Sequence, residues 1–83
     1  MQGVIWDKLT GIIRDTFDDA GLAIRPETTA KDVEGWDSLA HIQLMVAVEK
    51  AFGIRFNTGE LAGLTNVGEL ARLVARRTGQ VSV

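Results

Sequence analysis

The sequence places Asp37-Ser38 three residues ahead of its single histidine, His41. Three kinds of chemistry are open to that group. The plainest is helix capping, because Asp or Ser just before an apolar run commonly bonds a free backbone N–H and need do nothing else. A second is anion holding: exposed N–H groups and the positive end of a helix dipole favour a phosphate attached to the serine oxygen. The third is nucleophilic attack by Ser38. An activated serine needs a base and an oxyanion hole, yet His41 is the sole candidate base and no Gly-x-Ser-x-Gly elbow surrounds Ser38.

The rest of the composition narrows the choice. There is no cysteine, so disulfides, Cys-ligated zinc, iron-sulfur clusters and a protein-borne thiol nucleophile are excluded. One histidine cannot make a multi-His metal centre, which leaves only carboxylate sites for hard cations. We expect no metal site. At 83 residues, with 46% apolar and 24% charged side chains, the chain is expected to be one domain, residues 1–83, with one small core. Little room remains for an enzyme.

The formal net charge is −2, and no basic cluster exceeds Arg72 with Arg76-Arg77, so nucleic acid is not an expected partner. The acidity sits at the front: residues 1–37 hold eight acids and four bases, residues 38–83 three acids and five bases. The longest apolar run, Leu44 to Val48, is far short of the roughly 20 residues of a membrane span. The first residues show neither a basic, apolar leader nor a glycine placed for myristoylation. A cytoplasmic monomer is the expectation.

Helices must position Ser38. Gly21, Gly53 and Gly79 each close a stretch with apolar residues at helical spacing. The first stretch carries Ile5, Leu9, Ile12, Ile13 and Phe17 on one stripe, with Asp7, Lys8, Arg14, Asp15 and Asp18 elsewhere. The second runs from about Ser38 to Phe52. The third starts at Asn66, with Glu69 completing a capping-box spacing, and continues through Val67, Leu70, Ala71 and Val74. Asn57 and Glu60 repeat that spacing before Leu61 and Leu64, predicting a short helix weakened by Gly59 and Gly63. The long connection from Gly21 to Asp37 is expected to be tied down by Leu22, Ile24, Val33 and Trp36, with a turn at residues 29–32. The predicted fold is all-α: a small bundle of three main helices plus one short helix.

The second helix has one apolar face too many. Leu44, Met45, Val48, Ala51 and Phe52 form the expected core stripe, while Leu39, Ile42 and Val46, with Gln43 and Lys50, form another on the opposite side. Either the helix is packed on two sides or a few aliphatics are exposed without consequence. A partner-docking face is the third reading.

Gly35-Trp36-Asp37-Ser38-Leu39, followed by Ile42 to Ile54 with Glu49 one turn before Phe52-Gly53-Ile54, resembles the acyl carrier proteins over essentially the whole chain. The resemblance implies that Ser38 is esterified with phosphopantetheine from coenzyme A by a phosphopantetheinyl transferase. The arm's thiol would then carry acyl or aminoacyl groups as thioesters for a fatty-acid-like, polyketide-like or specialised biosynthetic route. Such a protein is not an enzyme. By the same resemblance Asp37 helps the transferase recognise the site. Leu39, Ile42, Gln43 and Val46 become contact surface for loading and processing enzymes, and the bundle interior is where some carriers shelter an apolar chain. The alternative from another class is an unmodified helical interaction module that keeps the carrier fold.

Three features depart from the family's best-known fatty-acid members. Ala40 and Gln43 stand where acids are common, so steering toward basic partners is expected to be weak. The residue before Ser38 is Asp37 and not His, unlike the peptidyl carriers of nonribosomal synthetases. His41 is unusual at its place and is expected to be a partly exposed polar residue at the bundle rim.

Overall fold

The computed structural model describes residues 3–57, 59–60 and 63–79. Its helices are α1 (Val4–Thr16), α2 (Ser38–Phe52) and α3 (Val67–Thr78), with a 3-10 turn at Ala30–Asp32 and no strand among the described residues. The predicted all-α class holds. The start of the short helix is present: Asn57 N–H donates to Glu60 Oε1 at 3.0 Å and Glu60 N–H to Asn57 Oδ1 at 2.8 Å. Its continuation through Leu61 lies outside the described residues.

One core joins the helices. Ile5, Leu9 and Ile13 of α1, Leu44, Met45 and Val48 of α2, and Val67, Leu70, Ala71 and Val74 of α3 are all buried and packed together. Trp6 joins them, although it stands beside the sequence stripe and not on it. Ile12 and Phe17, placed on that stripe, are only partly buried. Lys8, read as solvent-facing, donates to the Ala51 carbonyl at 2.8 Å and lies over the Phe52 ring. It thereby places a cation where the carbonyls of the α2 C-terminus lack intrahelical partners.

Gly53 and Gly79 end α2 and α3 in the left-handed conformation, as expected of helix stops. Gly21 does not end α1. That helix stops at Thr16, and Asp18 takes the left-handed turn at φ 52°. Aspartate tolerates this region better than most residues because its short polar side chain finds local partners. Asp19 N–H closes the end by donating to the Arg14 carbonyl at 2.9 Å.

The long connection is held at several points. Arg14 Nε donates to the Leu22 carbonyl at 2.9 Å. Val33 is buried, and Leu22, Ile24 and Trp36 pack against the core. The predicted turn is present, closed by a capping box between Thr29 and Asp32. Two further ties come from α3, whose Val67 and Gly68 N–H groups donate to the Thr28 and Pro26 carbonyls at 2.9 and 2.7 Å. These are orphan donors of a helix start, so the loop satisfies the helix while the helix fixes the loop. The end of that fixed loop delivers Asp37 and Ser38.

Candidate functional site

Gly35, at φ 86°, turns the chain out of the loop, a conformation that costs glycine little. Asp37 follows as the N-cap of α2, with its Oδ1 accepting the Ala40 N–H at 2.8 Å. Ser38 is the first helical residue and is exposed. Capping by Asp37 leaves the Ser38 and Leu39 N–H groups among the orphan donors of the helix start. A serine hydroxyl there is accessible and lies in the positive field of the helix end.

His41, one turn on, is turned to another task. The Trp36 indole Nε1–H donates to His41 Nδ1 at 3.1 Å, and the two rings stack at 27° with centroids 6.1 Å apart. Because Nδ1 accepts, the neutral imidazole carries its proton on Nε2. Among the described residues no hydrogen bond joins Ser38 to His41, so no nucleophile–base pair is assembled. His41 is half-buried at the rim, as expected. Its bond to Trp36 is the part that sequence reasoning missed; Trp36 read only as a tie for the loop. The available signal was a donor-only ring five residues before an imidazole, across a helix start.

The surplus stripe of α2 is exposed. Leu39 is 64% exposed, Ile42 60% and Val46 42%, whereas Leu44 and Val48 are fully buried. Gln43 beside them is exposed and the first turn holds no acid. The structure thus brings Asp37, Ser38, Leu39 and Ile42 to one end of α2, with Gln43 and Val46 further along it. The packed-on-both-sides reading is overturned.

Two hollows lie near the start of α2, one of them lined by Ser38. An open groove of about 470 Å³ is lined by Ala30, Trp36, Asp37, Ser38, His41 and Ile42. A smaller, more enclosed cavity of about 60 Å³ lies behind it, between the loop, Met45 of α2 and Leu70 of α3. Among the described residues no group of three or more His, Asp or Glu gathers to hold a metal ion.

Residues 7–74 match the family model described as a phosphopantetheine attachment site. The chain is 32% identical over 79 residues to an acyl carrier protein of Picosynechococcus sp., covering 95% of this chain and 98% of that one. It is also 32% identical over 68 residues to acyl carrier protein MbtL of Mycolicibacterium paratuberculosis, covering 82% and 76%. Its fold is similar to the solution NMR structure of a holo acyl carrier protein from Geobacter metallireducens. That match has a TM-score of 0.83 and 45% identity, and covers 88% of this chain and 84% of that one.

Proposed function

The chain belongs to the acyl carrier family, whose members carry acyl intermediates on covalently held phosphopantetheine, and on that premise we propose that Ser38 is the attachment residue. The observation that carries this is the position of Ser38: exposed, at the first turn of α2, directly after a capping Asp37. A phosphodiester formed on its oxygen lies against the N–H groups and dipole of the helix start, which stabilise negative charge. No base is needed in this chain. In the transfer, the Ser38 hydroxyl attacks the β-phosphate of coenzyme A, its proton passes to a base on the transferase, and 3′,5′-ADP leaves.

Asp37 has a double role in this reading. Its Oδ1 holds the first turn of the helix, and its remaining carboxylate oxygen is presented to the transferase beside the hydroxyl to be modified. Leu39, Ile42, Gln43 and Val46 form the surface on which loading and processing enzymes dock. With few charges around them, aliphatic contact is the main attraction. The whole chain, residues 1–83, works as a single carrier domain in the cytoplasm and catalyses nothing itself.

The test is incubation of the purified chain with coenzyme A and a broad-range phosphopantetheinyl transferase, followed by intact-mass measurement. The expected result is one arm per chain on the wild type and none on Ser38→Ala. An unmodified wild type would support the alternative, an interaction module that keeps the carrier fold.

A further inference from the structure

The groove beside Ser38 and the cavity behind it share three lining residues: Ala30, Trp36 and His41. Trp36 and His41, joined by their hydrogen bond, therefore border both hollows. Phe17 packs beside Trp36, with the two ring centroids 5.4 Å apart. Along α2, Ser38, His41 and Met45 follow one another on one face, about 4.5 and 10.5 Å along the axis from Ser38. An arm anchored at Ser38 and lying on this face passes His41 before it reaches Met45 and the cavity.

The cavity is suited to hydrocarbon but not to much of it. Met45, Leu64, Val67 and Leu70 supply apolar lining. Its polar lining residues are already engaged: Thr28 Oγ1 accepts the Arg25 N–H, Asn66 Oδ1 accepts the Glu69 N–H, and the Thr65 hydroxyl bonds Glu69. The volume of about 60 Å³ is less than half of the roughly 150 Å³ that admits a benzene molecule in an engineered core.

We propose that the hydrogen-bonded Trp36–His41 pair is a size-selecting partition for the cargo, keeping acyl chains longer than a few carbons out of the bundle interior and in the open groove. This rests on attachment of the arm at Ser38. A long chain then stays accessible to processing enzymes beside the exposed Leu39 and Ile42. Trp36 and His41 are specificity-determining residues in this account; neither reacts.

The test loads acetyl or octanoyl groups from the corresponding acyl-coenzyme A with a broad-range transferase, verifies the adduct on Ser38 by mass, and measures thioester cleavage by hydroxylamine. On the wild type both groups should be cleaved at closely similar rates. On His41→Ala the octanoyl thioester should be cleaved about fivefold more slowly than the acetyl one, as a sheltered population of roughly four in five gives. The Met45 and Leu70 methyl resonances should shift on octanoylation in that variant and not in the wild type. His41→Gln, whose amide oxygen still accepts the indole proton, should behave as the wild type. Trp36→Phe keeps a ring against Phe17, removes the donor, and should protect octanoyl as His41→Ala does. Protection of octanoyl in the wild type, or none in either loosened variant, overturns the partition. A wild-type chain that takes no arm on Ser38 overturns the attachment reading itself, and the partition with it.

Discussion

The N–H of Gly68, in the first turn of α3, donates to the carbonyl of Pro26 at 2.7 Å. A Cβ at position 68 would stand 2.9 Å from that oxygen and 3.1 Å from the Pro26 Cβ. The helix start and the loop that leads to Ser38 are thus locked together through a residue without a side chain. Gly68→Ala gains about 1 kcal/mol of helix propensity but forces a clash whose usual cost is about 1–3 kcal/mol. The obstacle is backbone and a proline ring, so the clash wins. We expect a lower melting temperature for Gly68→Ala; a melting temperature equal to or above wild type would show that the loop yields at no cost.

Glu49 fixes the other end of α2. Its Oε2 accepts the Phe56 N–H at 2.7 Å, and its carbonyl accepts the Ile54 N–H at 3.0 Å, folding the chain after Gly53 back onto the bundle. Hydrogen bonds to a charged group contribute about 1.5–3 kcal/mol. Glu49→Ala should lose stability of that order in urea unfolding, while Lys50→Ala, on an exposed neighbour, should change it by less than about 0.5 kcal/mol. Equal effects would contradict the assignment.

Replacing Leu39 or Val46 with Asp should slow processing by partner enzymes while moving stability by no more than about 0.5 kcal/mol, since both side chains are exposed. Circular dichroism and a melting curve supply the control. Partner binding should weaken only modestly with salt, because α2 carries no acid in its first turn. Loss of folding in Val46→Asp, or a steep salt dependence, would contradict a largely aliphatic docking surface.

Two carboxylates are expected to make the fold acid-sensitive. The Arg77 guanidinium bonded to Glu60, with the Asn57 N–H, holds the Glu60 carboxyl below its ordinary range. Thr65 does the same for Glu69 through its hydroxyl and its N–H. A depressed folded-state pKa favours the ionised form in the native protein, so this stability is present above about pH 4.5 and is lost as pH falls through the folded value. Arg77→Ala should therefore flatten the fall of melting temperature below pH 4.5. An unchanged slope would show that the pair contributes nothing to the acid response.

The α2 stripe, the Asn66 cap and the turn at residues 29–32 were legible in the sequence because each is a local pattern: periodicity, a capping spacing, or a cluster of turn formers. The helix start at Asp37-Ser38 was legible for the same reason, whereas the attachment proposed for Ser38 rests on the family resemblance and not on the local pattern. Contacts between distant residues were not. The reach of Lys8 to Ala51, the Glu49 bond to Phe56, the Gly68 approach to Pro26 and the burial of Trp6 all depend on how elements pack. Gly21 misled because helix-stop glycines are recognised by position alone, whereas Asp18 had already supplied the left-handed turn.

The most direct test of the carrier account is the intact mass of the chain after incubation with coenzyme A and a broad-range phosphopantetheinyl transferase, run beside Ser38→Ala. A single phosphopantetheine adduct is expected on the wild type, mapped to the peptide holding Ser38, and none on the variant. A wild type that remains unmodified, or an adduct that survives Ser38→Ala, would contradict the carrier account.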